Sequence, residues 1–407
     1  MTDSKPQSMT EACLEEISTY SANNYAPLDI VISRAEGIYM YDVEGNKYFD
    51  MLSAYSAVNQ GHQHPKIVKA LINQVNTLAL TSRAYHNDKM GPFLKKLCGI
   101  SKMTKALPMN SGAEAVETAI KAMRKWGYES KGIATDKAEI IVCEDNFHGR
   151  TSTIVSFSTD PDARDGYGPA SPGFKIIPYN DPAALEAAIN ENTCGFLVEP
   201  IQGEAGVKLP SEGYLKAVRE ICSKHNVLLC FDEIQTGLAR TGKMFCHLHE
   251  GVTPDIMTVG KALSGGLYPI SAMLSNDDVM KVFTPGSHGS TFGGNPLAAA
   301  IGSAALDVIV DENLCEKATT LGALFKKEIA ELADLAHIKE IRGKGLLIAI
   351  EMNSKSAKAR CKALAKKGIL AKDTHETTVR FAPPLIITEE QIKEAAAIVL
   401  EVFKNSE

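Results

Sequence analysis

Four short apolar runs in the middle of this chain constrain its fold most. They are Ala138-Glu-Ile-Ile-Val-Cys143, Gly195-Phe-Leu-Val198, Val227-Leu-Leu-Cys-Phe231 and Asp255-Ile-Met-Thr-Val259, with helical spacing between them, as over 211–225. Runs this short and this apolar are strands buried on both faces. Separated by helices, they predict a parallel α/β sheet. In such sheets ligands bind beyond the carboxyl ends of the strands. Glu199, Asp232 and Lys261 each follow the end of an apolar run. Three strands delivering polar groups to one edge predict a site there.

A charged group at a buried strand end is costly to desolvate unless something faces it. Lys261 follows Gly260, which lets backbone approach closely, and precedes the turn Ser264-Gly265-Gly266. Taken alone it would be a surface lysine. Asp232, after five apolar residues, would alone pair with Arg240 or Lys243. Together the two suit pyridoxal 5′-phosphate: an amine for its aldehyde and a carboxylate for its ring nitrogen.

Other segments add weaker signals. Asn110-Ser111-Gly112-Ala113 opens a helix whose apolar positions Val116, Ala119, Ile120 and Met123 recur at helical spacing. Small residues there expose N–H groups to a phosphate, although a plain N-cap reads the same way. Ser290-Thr291 lies in a glycine-rich loop that suits a phosphate or a simple turn. In Phe147-His148-Gly149-Arg150, the phenyl ring can stack on a planar cofactor and the arginine can clamp a carboxylate. His148 alone reads as a loop histidine. Glu204 and Arg380 could pair across one cleft, since Arg380 sits on a strand near the other end of the chain.

The chain has 407 residues, 44% hydrophobic and 23% charged, with net charge −6. That is ordinary for a globular protein and argues against nucleic-acid or anionic-membrane surfaces. Nine scattered cysteines without a CxxC pair predict reduced thiols and no metal. The octet Met-Thr-Asp-Ser-Lys-Pro-Gln-Ser has neither an apolar core nor an Arg-rich presequence, so a cytoplasmic location is expected. The uncharged part of 282–306 is broken by glycine and proline and is too polar to span a bilayer. The expected organisation is an N-terminal segment (1–60) packing with a C-terminal small α+β domain (301–407), around a large cofactor-binding domain (61–300).

These motifs together resemble the class III, fold-type I pyridoxal-phosphate aminotransferases. Phe231-Asp-Glu-Ile-Gln-Thr-Gly-Leu-Ala-Arg-Thr-Gly242, with Lys261 following, carries the likeness. Asn110-Ser-Gly-Ala-Glu114, Phe147-His-Gly-Arg150, Val198-Glu-Pro-Ile-Gln-Gly-Glu204 and Gly289-Ser-Thr-Phe-Gly-Gly-Asn-Pro296 follow the family's order, and the likeness runs from about Tyr20 onward. The resemblance implies that Lys261 binds the cofactor aldehyde, Asp232 the ring nitrogen and Gln235 the ring hydroxyl oxygen. Phe147 would stack on the ring, with Glu199 nearby. Ser111, Gly112, Ala113 and Ser290 would bind phosphate, joined by Thr291 from the neighbouring subunit of a homodimer.

Within the class, Ser53-Ala-Tyr-Ser-Ala-Val-Asn-Gln-Gly-His62 and Asn24-Tyr-Ala-Pro-Leu28 resemble motifs of members that transfer the δ-amino group of L-ornithine to 2-oxoglutarate, giving glutamate. That implies Arg150 and Tyr25 for the α-carboxylate and α-amine of ornithine, with Tyr55 lining the pocket. Glu204 would mask Arg380 for ornithine and release it for 2-oxoglutarate. His148 departs from the tryptophan of animal members. Acetylornithine and 4-aminobutyrate transamination are the alternatives within the class. A non-catalytic binding protein on the same fold is disfavoured by Lys261 and Asp232.

Overall fold

A computed structural model describes residues 8–404. The first seven residues, on which the expectation of no leader partly rested, lie outside the described residues, as do the last three.

The expected runs are neighbouring strands of one seven-stranded sheet. In chain order these are β1 (Lys105–Met109), β2 (Glu139–Cys143), β3 (Phe174–Ile177), β4 (Thr193–Val198), β5 (Leu228–Asp232), β6 (Ile256–Val259) and β7 (Ser271–Ser275). Their lateral order is β1-β7-β6-β5-β4-β2-β3. The run from β6 to β3 pairs parallel, and β7 is antiparallel to both neighbours. Burial on both faces follows from the helices. Helix α1 (Gly112–Trp126) packs on Ile140, Val142, Leu197 and Cys230, whereas α2 (Tyr214–Lys224) packs on Ile141, Cys143, Phe196 and Leu229. Alternate residues of each strand thus meet opposite layers, and each fully buried large aliphatic or aromatic side chain contributes about 1.5–3 kcal/mol.

Helix α3 (Pro296–Asp311) occupies the end of the uncharged stretch and lies against the helix Pro65–Val75. Beyond it stands a four-stranded antiparallel sheet in the lateral order Ile338–Lys344, Leu347–Met352, Thr378–Phe381, Lys372–Thr374. The helix Glu389–Lys404 opens on a reciprocal cap. Thr388 N donates to Gln391 Oε1 at 2.9 Å, and Gln391 N donates to Thr388 Oγ1 at 3.3 Å. The hairpin Tyr39–Asp42 and Lys47–Asp50 turns on Asp42, whose carboxylate accepts from Glu44 N, Asn46 N, Asn46 Nδ2 and the Tyr48 hydroxyl. Lys47–Asp50 also pairs in parallel with Ile369–Leu370, joining the two ends of the chain. All nine cysteines are free. Among the described residues no helix is long and apolar enough to cross a membrane.

Candidate active site

β5 ends on Asp232, and β6 leads through Gly260 into a short 3-10 turn at Lys261–Ser264. The two strands are adjacent, with Asp232 opposite Thr258. Lys261 has φ +45°, a left-handed conformation that is costly for a side-chain-bearing residue. Gln60 steadies this turn by donating from Nε2 to Ala262 O at 2.9 Å. Among the described residues the Lys261 amine has no hydrogen bond or ion pair. Burial pushes it below the usual lysine range, and nearby Arg380 adds to that, against the opposing pull of Glu204 and Asp232.

Asp232 does not pair with Arg240 or Lys243. Its partner is His148, whose Nδ1 lies 2.7 Å from Oδ2. Thr258 Oγ1 and Ile234 N donate to Oδ1, both at 3.1 Å. Arg240 is instead consumed by Leu346 O, Pro383 O and Asn59 Oδ1. His148 is fully enclosed. Burial lowers its proton affinity, but the Asp232 carboxylate outweighs this and raises it overall.

A cavity of about 210 Å³ opens in front of these groups. Lys261, Asp232, Gln235, Glu199, Glu204 and Phe147 line it, together with Gly112 and Ala113 from the start of α1. Ser111 caps α1 in a reciprocal box with Glu114 and lines an adjoining space shared with Lys261 and Gly112. Ser290 is tied to this helix start, because Asn110 Nδ2 donates to its hydroxyl at 2.8 Å. Glu199 accepts from Phe147 N at 3.1 Å. Burial lifts its carboxyl to about 8, with Asp232 and Glu204 adding to the rise.

Gly203 makes room for Gln235: a Cβ there would stand 1.4 Å from Gln235 Oε1. Gln235 Nε2 in turn donates to Glu204 Oε1 at 3.0 Å. The same oxygen meets Arg380 Nη1 at 2.8 Å. Burial opposes ionisation of Glu204, yet Arg380 and Lys261 pull it down to about 2. Arg380 is buried on the strand Thr378–Phe381 and lies 5.3 Å from the centroid of the Tyr55 ring.

Tyr55 is presented by an unusual segment. Ser53, Ala54, Tyr55 and Ser56 all have positive φ, forming a left-handed turn without glycine. Asp50 holds its entry by accepting from Leu52 N and Ser53 N. Farther out, Tyr25 and Arg150 border one cleft of about 1040 Å³. Arg150 also borders a smaller space with Phe147, His148 and Glu204, linking that cleft to the inner cavity. Thr291 is exposed in the single chain and does not border the cavity around Lys261.

Two contributors were not foreseen: His148 as the partner of Asp232, and Thr258. A threonine inside an otherwise apolar strand was the only available signal for the second.

Residues 20–403 match the aminotransferase class-III family model. The chain is 55% identical over 395 residues to ornithine aminotransferase 2 of Staphylococcus aureus strain Mu50, covering 97% of this chain and 99% of that one. The crystal structure of ornithine aminotransferase from Toxoplasma gondii ME49 superposes with TM-score 0.96 at 44% identity, covering 98% and 95% of the two chains. That of acetylornithine aminotransferase from Elizabethkingia anophelis does so with TM-score 0.89 at 52% identity, covering 97% and 99%. The chain belongs to the class III aminotransferase family. It has the fold-type I architecture and is an aminotransferase whose cofactor is pyridoxal 5′-phosphate. The site fits that cofactor: an unpaired amine, a buried carboxylate and a helix start converge on one cavity.

Proposed function

We propose that this aminotransferase moves the δ-amino group of L-ornithine to 2-oxoglutarate in two alternating half-reactions. The products are glutamate 5-semialdehyde, which cyclises to pyrroline-5-carboxylate, and glutamate. The observation that carries the reading is the outer cleft, where Tyr25 and Arg150 stand away from Lys261. A carboxylate and α-amine anchored there leave the far end of the substrate to reach the lysine, and positioning of this kind selects the δ-amine. The names of the relatives in S. aureus and T. gondii support it.

Asp232 would hold the cofactor's ring nitrogen, Gln235 its ring hydroxyl oxygen and Phe147 its ring face. Ser111, Gly112, Ala113 and Ser290 would hold its phosphate, with Thr291 of the partner subunit in a homodimer. When bound, the cofactor supplies an aldehyde that accepts the amine and a ring that draws electrons from the neighbouring carbon. Lys261 Nζ, its basicity moderated by burial, takes the proton from the ornithine δ-carbon and returns it as an acid. Glu204 neutralises Arg380 while ornithine is bound. For the dicarboxylate, Glu204 releases Arg380 to bind the α-carboxylate.

The second reading is acetylornithine transamination, favoured by the 52% identical enzyme of E. anophelis. A coupled assay tests both. The purified protein receives pyridoxal phosphate and 2-oxoglutarate with ornithine, N-acetylornithine or 4-aminobutyrate; the glutamate formed is measured with each, and o-aminobenzaldehyde traps the pyrroline-5-carboxylate that only ornithine yields. Ornithine turnover alone is the expected result. A preference for acetylornithine would overturn the assignment of Tyr25 and Arg150 while leaving the Lys261 chemistry.

A further inference from the structure

The loop that carries Glu204 is strained and is held by a second arginine. Gln202 and Lys208 pair with each other, closing a five-residue loop over 203–207. Gly206 has φ +95° and Val207 φ +55°. A left-handed conformation at a β-branched residue is a genuine outlier and costs energy that surrounding contacts must offset. Those contacts come from Arg342. Its Nε donates to Gly206 O at 3.1 Å and Val207 O at 3.0 Å, and its Nη2 donates to Gly206 O at 2.6 Å.

Arg342 and Arg380 are related by register. Ala349 on the strand Leu347–Met352 stands opposite Arg342 on one side and opposite Arg380 on the other. Directly opposed residues of antiparallel strands project to the same face. The two arginines therefore straddle a small residue on one face of the sheet, and Val207 shares a small apolar cluster with that Ala349. Arg380 takes Gly203 O and the Glu204 carboxylate, while Arg342 takes the carbonyls at the other end of the loop. Their charges are balanced differently. Arg342 is paired with Glu340 and Glu351, both outside the cavity around Lys261, so it has no need of Glu204.

We propose that Arg342 is a positioning residue for substrate alternation: it fixes the 203–207 backbone so that Glu204 leaves and rejoins Arg380 by side-chain rotation alone. This rests on the reading of Glu204 and Arg380 as the exchanging pair. Without Arg342 the strained loop relaxes, the Glu204 carboxylate loses its register with Arg380, and the arginine is unmasked in part.

The test is single-turnover kinetics of the dimeric holoenzyme, following the cofactor absorbance separately with ornithine and with glutamate. Glu204→Ala should raise the glutamate rate relative to the ornithine rate. Arg342→Ala should raise the same ratio by roughly threefold or more, and Arg342→Lys, with its donors gathered on one nitrogen, by less. In the Glu204→Ala background, Arg342→Ala should leave the ratio where it stands. A ratio unchanged by Arg342→Ala while Glu204→Ala shifts it overturns the positioning role alone. An equal fall in both half-reactions, with a lower Tm, does the same and assigns Arg342 to stability. A ratio unchanged by Glu204→Ala overturns the exchanging pair, and this proposal with it.

Discussion

Glu199 and Glu204 stand five residues apart, and their surroundings drive them in opposite directions. Glu204 faces Arg380 and stays ionised, whereas Glu199 is buried beside Asp232 without a cation bonded to it, and its carboxyl is lifted to about 8. A carboxyl with a raised folded-state pKa binds a proton more tightly when folded, so its contribution is complete below the unfolded value near 4.5 and disappears as pH rises toward 8. Cofactor-free protein should therefore lose thermal stability between pH 6 and 8. Glu199→Gln, whose amide oxygen can still accept from Phe147 N, should flatten that decline. Parallel Tm profiles for the two proteins would contradict the assignment. At this scale the placement of Glu199, Asp232 and Lys261 was readable, because an apolar run ending on a charged residue marks a strand end. The partner of Asp232 was not. His148 lies 84 positions upstream, and nothing local distinguishes it from a loop histidine.

Among the elements, the parallel strands β2, β4, β5 and β6 and helix α1 were readable from periodicity and capping residues, within a few positions at their ends. The antiparallel β7 was not. Ser271-Ala-Met-Leu-Ser275 has no β-branched residue, and its direction is set by its neighbours. The left-handed turn at 53–56 was invisible for a related reason: four residues without glycine carry no local preference for positive φ. Side-chain bonds from Asp50 hold it. Asp50 is enclosed, accepts two backbone N–H groups at the turn and meets His62 Nε2 at 2.7 Å. Asp50→Ala should cost about 2 kcal/mol or more, because the buried donors lose their acceptor and the turn can relax. Denaturant titration reads the stability, and steady-state kinetics should show a raised KM for ornithine as Tyr55 drifts. An unchanged KM would separate the turn from the substrate pocket.

For the whole molecule, Arg240 ties the N-terminal segment, the loop after β5 and the segments flanking the C-terminal sheet. It is completely buried, and its guanidinium binds Asn59 Oδ1, Leu346 O and Pro383 O. Removing it strands three buried acceptors, so Arg240→Ala should cost about 3 kcal/mol or more by denaturant titration. A loss under about 1 kcal/mol would mean that water or a neighbour replaces it readily. The sequence could not disclose this tie, since Arg240 reads there as one more charge near Asp232. What it did disclose was the alternation of layers, because a strand buried on both faces needs helices on both sides.

The adjacency of β5 and β6 has a further consequence. Asp232 and Lys261 are placed by the pairing of neighbouring strands, Asp232 standing opposite Thr258 and Lys261 three residues beyond it, rather than by the length of chain between them. The sheet acts as a ruler. Residues inserted at the exposed Gly251 turn would lengthen the connection without stretching the interval between amine and carboxylate. Distant relatives can therefore drift in how many residues separate these two groups while the chemistry stays in register, and strand adjacency is the more durable signature by which to find them.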